Sequence, residues 1–174
     1  MIIDKPESKF IFIFNRMTAT YGSSYTIHNG RSLTNAEVLK SWGKCLILGT
    51  RPWLDDLAKK LDSYVEEEII PCIKYDREPS KNLGIEECVM MAYCHIERRE
   101  EIWQIFSKFG SDYKAWVSEK ETMGLWEPGG PIMERWLNTT NFDEKTKDKI
   151  RDNARQRFDY LENHPNDVFK PLAQ

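Results

Sequence analysis

The chain carries no catalytic signature. Its 174 residues contain no P-loop, no G-x-G-x-x-G fingerprint and no G-x-S-x-G elbow, which argues against ATP-driven chemistry by this chain. It also lacks a basic balance: the net charge is -3 and the pI about 5.7, whereas a dedicated nucleic-acid binder is usually basic. That acidity is in turn too mild for a mimic of DNA, which needs a dense field of carboxylates. No hydrophobic run is long enough to span a bilayer; the longest candidate, residues 10–14 (Phe-Ile-Phe-Ile-Phe), is far too short. The first residues have neither a basic stretch nor an extended apolar core, so no secretory signal is expected. Histidine is scarce (His28, His95, His164), and the four cysteines, Cys45, Cys72, Cys88 and Cys94, are then expected as free, buried thiols in a reducing cytoplasm. There is no internal repeat and no low-complexity segment.

What is present is enough for a core. Hydrophobic residues make up 40% and aromatics 12% of the chain, in a length suited to one domain with at most a small appendage. Apolar residues recur mostly at helical spacing. Phe10, Ile13, Phe14, Met17 and Tyr21 predict a buried helix, although residues 10–14 also have high β-propensity. Residues 22–33 read as a loop in which Asn29-Gly30 also suits a two-residue hairpin turn. Thr34 and Glu37 make a capping box for a helix carrying Val38, Leu39, Trp42, Cys45 and Leu46. Thr50, with Pro52 in the first turn, opens another helix through Trp53, Leu57, Leu61, Tyr64 and Val65. Ser80 or Asn82 is placed to cap a long helix from Ile85 to Phe106, ended by Gly110. A short helix holds Tyr113, Trp116 and Val117. Residues 122–131, with three glycines and two prolines, are the strongest breaker cluster. After it come a short helix with Met133 and Trp136 and, behind an Asn141/Glu144 capping box, a final helix to about Glu162. The sum is an all-α bundle of six to eight helices: a core domain over residues 1–121, and a C-terminal helical segment over 122–174 able to pack on it.

Candidate chemistry is thin. Cys88 and Cys94 lie six apart, with His95 adjacent and Cys72 on a loop; zinc sites want closer pairs of ligands. On a helix, Cys94 and His95 would point about 100° apart, which also leaves a cysteine nucleophile without its base. No metal, cofactor or catalytic residue is therefore assigned. Paired carboxylates such as Asp55-Asp56 and Glu100-Glu101 read as solvated faces. The final helix alternates Lys and Arg with Asp and Glu, a pattern of i,i+4 pairing on a wet helix; a phosphate-contacting stripe of Lys147, Arg151 and Arg155 is the weaker alternative. Trp126 and Trp136 flank the Gly-Pro segment, either as exposed interface anchors or as the seal of a small second core.

Three stretches resemble the phage replication protein P family, whose members load a host replicative helicase. They are residues 14–22 (Phe-Asn-Arg-Met-Thr-Ala-Thr-Tyr-Gly), residues 35–43 (Asn-Ala-Glu-Val-Leu-Lys-Ser-Trp-Gly) followed by Leu57 to Leu61, and Pro79-Ser80 with Ile85 and Cys88. The likeness spans residues 10–94; Ile85 stands where the family has an aromatic, residues 66–77 look like extra length, and the second half has no counterpart. The resemblance implies a non-enzymatic DNA-replication adaptor that grips a helicase and need only favour its open state. Trp126, Trp136, Arg151 and Arg155 are the residues expected at the partner. The alternative is a small inhibitor or immunity-type protein that blocks a single enzyme. Neither reading involves a membrane.

Overall fold

The computed structural model describes residues 1–111 and 115–171. In chain order its elements are β1 (Ile2–Ile3), β2 (Phe10–Ile13), α1 (Arg16–Tyr21), β3 (Ile27–His28), β4 (Arg31–Ser32), α2 (Asn35–Ser41), β5 (Trp42–Gly49), α3 (Arg51–Glu66), β6 (Cys72–Asp76), β7 (Cys88–His95), α4 (Arg99–Ser107), β8 (Ala115–Ser118), α5 (Glu119–Trp126), α6 (Pro131–Asn138) and α7 (Glu144–Asn163). Short 3-10 turns occupy Lys81–Leu83 and Ile96–Arg98.

The all-α expectation is overturned. Six strands form one sheet in the order β1-β2-β6-β7-β5-β8, antiparallel at every pairing. Within it, β5-α3-β6-β7-α4-β8 is a β-α-β-β-α-β unit of ferredoxin-like topology, which β2 and β1 extend at the β6 edge. The expected first helix is instead β2, because residues 10–13 pair with residues 73–76. The expected second helix stops at Ser41, and its apolar half, Trp42 to Gly49, is a strand paired on both sides, with β7 and β8. The expected long helix from Ile85 is a strand over residues 88–95, alternating buried and half-buried residues. Trp116 and Val117 lie in β8; Tyr113 falls outside the described residues.

Local signals were read more accurately where they act within one turn of chain. Thr34 and Glu37 form the capping box of α2. Asn29 and Gly30 both have positive φ, 51° and 75°, the backbone of a type I′ turn, and they close the ribbon of β3 and β4. The final helix starts two residues later than expected: Asp143, rather than Asn141, caps it through Thr146. Gly130 caps α6, and a Cβ there would lie 2.7–2.8 Å from the carbonyl oxygens of Gly124, Leu125 and Glu127, so only glycine fits that turn.

The two faces of the sheet differ. Side chains alternate along each strand, and the register puts Ile11, Ile13, Ile73, Tyr75, Met90, Ala92, Cys45 and Ile47 on one face. These pack with Leu54, Leu57, Leu61 and Val65 of α3 and Ile102, Ile105 and Phe106 of α4 as the main core. Phe10, Phe12, Lys74, Tyr93 and Lys44 stand on the other face. It is covered less tightly, by α2, α5, α7 and the segment after α7. A second small core of Leu33, Val38 and Trp42 lies there. Residues 164–169 are tied to the start of α2: the Asn35 and Ala36 amides donate to the carbonyls of Asp167 and Pro165, the Phe169 amide donates to Leu33, and Thr34 bridges Val168. The helix α5 runs across the 121/122 boundary. Among the described residues no helix is long and apolar enough to cross a membrane.

The helices α6 and α7 are joined by a fork. Arg151 Nε and Nη2 donate to Glu134 Oε1 and Oε2 at 3.1 and 2.8 Å. That guanidinium, with the Gly129 amide, holds the Glu134 carboxyl at about 2. A carboxyl lower in the folded than in the unfolded chain stabilises above its unfolded value and ceases to do so as pH falls through its folded value. Glu134→Gln is expected to lower stability near neutrality, with the difference from wild type vanishing as pH falls from about 4.5 to about 2. Urea unfolding at several pH values measures this; a difference independent of pH would contradict it.

Candidate functional site: a lysine-bearing cavity on the open face of the sheet

The less tightly covered face encloses a cavity of about 430 Å³, within the range of small-molecule sites. Its floor is β2, β5, β6 and β7, which supply Phe10, Phe12, Lys44, Cys72, Lys74 and Tyr93; its walls come from Trp42, Glu119, Thr122, Trp126, Phe158 and, after α7, Phe169. Register explains the floor. Lys44 and Cys72 both pair with Tyr93, from either side of β7, and Lys74 pairs with Phe12 across β2 and β6. Two lysines from strands distant in sequence thereby flank one phenol ring. Lys44 Nζ lies 5.3 Å from the centre of the Tyr93 ring and Lys74 Nζ lies 5.9 Å from it.

The lysines are not equivalent. Lys44 donates to Glu119 Oε1 at 2.9 Å and to Thr122 Oγ1 at 2.8 Å, so its charge is paired within the wall. Lys74 makes no hydrogen bond and no ion pair among the described residues. Its contacts are with ring faces, most closely that of Phe10 at 4.4 Å. Burial, and then the neighbouring Lys44, lower its pKa, as expected for an ammonium removed from water beside a like charge. The Tyr93 hydroxyl is also without a hydrogen bond among the described residues, and burial raises its pKa. A third cation, Arg157, lines the cavity and lies over the Phe169 ring at 5.5 Å. Lys44, Lys74 and Arg157 face a single carboxylate, Glu119, so the lining is cationic in a protein whose net charge is -3.

The residues singled out from sequence fall elsewhere or are already engaged. Trp126 lines the cavity and meets Trp136 edge-to-face at 6.1 Å; Trp136 meets Phe142 in the same way at 6.2 Å. Both tryptophans are half-buried. Arg151 is held by Glu134 and by Asp148. Arg155 pairs with Asp152 at 2.7 Å and is the exposed one of the four. Lys147 also has a carboxylate partner, Glu144. The four cysteines are free and buried; burial raises the pKa of Cys72, the one that lines the cavity. Cys94 and His95 are on opposite faces of β7. Lys44, Lys74 and Tyr93 were missed because each is unremarked in its own stretch of sequence, and only strand pairing assembles them. A lysine inside an otherwise apolar strand, as in Cys72-Ile-Lys-Tyr, was the one available signal.

Comparison of the chain with protein-family models, with curated proteins and with solved structures gives no match.

Proposed function

We propose that the protein is a binding protein for a small anionic molecule with an apolar or aromatic body, of the organic carboxylate class. The observation that carries this reading is Lys74, an ammonium without a hydrogen-bonding or ionic partner among the described residues, held in an aromatic-walled cavity. A charge taken from water is costly unless paired. A carboxylate at Lys74 supplies that pair and brings an acceptor to the Tyr93 hydroxyl. The aromatic rings then receive the rest of the molecule, with a few polar groups fixing its orientation.

This reading has more support in the geometry than the helicase adaptor or the single-enzyme inhibitor. Those readings rested on Trp126 and Trp136 as exposed anchors, and both are half-buried against other rings.

The test is a matched series. Aryl and alkyl carboxylates are titrated against the protein beside the amides of the same shape, with quenching of tryptophan fluorescence as the readout, since Trp42 and Trp126 line the cavity. At least one carboxylate is expected to bind and to exceed its amide by about tenfold or more, the scale of a charge-assisted hydrogen bond. Equal binding of acid and amide, or no binding by any acid at millimolar concentration, would sink the proposal.

A further inference from the structure

We propose that His28, His95 and Glu97 form a binding site for a divalent transition-metal ion of the zinc class. His28 comes from the hairpin strand β3, His95 ends β7, and Glu97 lies in the 3-10 turn that follows. Elements separated by some 67 residues of chain, from His28 to His95, thus converge. One donor atom from each residue lies within 4.8 Å of the other two. His28 Nε2 is 3.0 Å from Glu97 Oε2, and His95 Nδ1 is 3.7 Å from the same oxygen. The imidazoles are largely buried, 15% and 12% exposed, while the Glu97 side chain is 71% exposed. The rings are therefore largely shielded from water and the carboxylate side is open to solvent.

The protonation pattern makes this a place for a cation. His95 Nδ1 accepts the Glu97 amide at 3.4 Å, so it carries a lone pair and the ring proton sits on Nε2. His28 Nε2 can donate one proton to Glu97. His95 Nδ1 and the Glu97 carboxylate thus offer electron pairs, and the other tautomer of His28 frees a third at Nε2. Two imidazole nitrogens and one carboxylate oxygen suit zinc and similar borderline ions, and three protein ligands leave a further position open.

The rings are stacked, with centres 3.7 Å apart and planes 12° from parallel. Imidazole lone pairs lie in the ring plane, so in this arrangement they run side by side. Coordination of one ion therefore requires one ring to turn about its Cβ–Cγ bond until both nitrogens face a common point. Metal binding and loss of the stack are one event.

The chain has three histidines, which gives the experiment an internal control. Zn²⁺ is titrated into the full-length protein while the imidazole ring protons are followed by NMR, and affinity is measured by calorimetry. One equivalent is expected to shift the His28 and His95 resonances and leave those of His164 in place. Hydrogen-bond partners behind metal ligands are worth about 10–100-fold in affinity, so His28→Ala and His95→Ala are each expected to weaken binding by at least that much. Should His95→Ala fail to fold, His28→Ala carries the test alone, since His28 lies on a two-residue strand of the hairpin. Resonances of His28 and His95 that stay fixed would overturn the site. So would zinc retained at wild-type affinity in His28→Ala, which would place the metal on thiols or surface carboxylates.

Discussion

Lys74→Met is expected to make the protein more stable and at the same time to remove most of its affinity for an anionic ligand. Met matches the unbranched stem of Lys and keeps the contact with the Phe10 ring, without the ammonium. The folded chain then no longer holds an unpaired charge at a half-buried position, a gain of about 1 kcal/mol near neutral pH. A carboxylate loses its charge-assisted partner, worth about 1.5–3 kcal/mol, or roughly a 10- to 150-fold rise in Kd. The pH dependence identifies the group responsible. The pKa of Lys74 is lower in the folded chain than its ordinary 10.5. Below the folded value both states are protonated and the cost of burial is felt in full; above 10.5 both are neutral and the cost is gone. Wild-type stability therefore gains from this group as pH rises between the two. The advantage of Lys74→Met should shrink over that interval. Tyr75 and Tyr93, whose pKa values burial raises, are present in both proteins and cancel in the difference. Chemical unfolding across pH, with ligand titration at neutrality, measures both effects. A variant less stable than wild type, or one that binds carboxylates undiminished, would show that Lys74 is not the group that awaits the anion.

Phe106→Ala should do the reverse. Phe106 is fully buried and seats α4 on the opposite face of the sheet, packed edge-to-face with Trp103 at 6.0 Å. Truncating a buried phenylalanine costs about 3–5 kcal/mol through lost transfer energy and the cavity left behind. In a chain of this size that is a fall in Tm of roughly 6–20 °C. The loss is a large share of total stability, so expression at reduced temperature is the practical condition. Because the sheet separates Phe106 from the lysine-bearing cavity, molecules that remain folded should bind the carboxylate within about twofold of wild type. Thermal unfolding and ligand titration below the transition test the pair of statements. A loss of stability under about 1 kcal/mol would mean that α4 is not seated as the structure has it.

These two variants also show what could be read from the chain alone. The helix α3 was legible because Leu57, Leu61 and Val65 recur on one face behind Thr50 and Pro52, and every term in that reading is local. The boundaries set by Thr34, Gly110 and Asn29-Gly30 were legible for the same reason. The strand β5 was not. Both its faces are largely buried, so the two-residue alternation of a half-exposed strand is absent, and Trp42, Cys45 and Leu46 fit a helical period by coincidence. Its partner β7 begins 46 residues after β5 begins, a distance over which no pattern in a single sequence reports pairing. The cavity inherits that difficulty. Lys44, Lys74 and Tyr93 share a site only through the registers of β5, β6 and β7, and His28 reaches His95 only because the hairpin lies beside the end of β7.

The attachment of residues 164–169 to the start of α2 has a consequence for biosynthesis. Every strand of the main sheet has been synthesised once Ser118 is made, and domains fold as their residues emerge from the ribosome. Phe158, Leu161 and Phe169, which wall the cavity, follow later in the chain. A chain made only as far as Ser118 has every strand of the sheet but lacks α5, α7 and the segment after it over the lysine-bearing face. A message truncated after the codon for Ser118 would therefore encode every strand of the sheet without the later residues that wall the cavity.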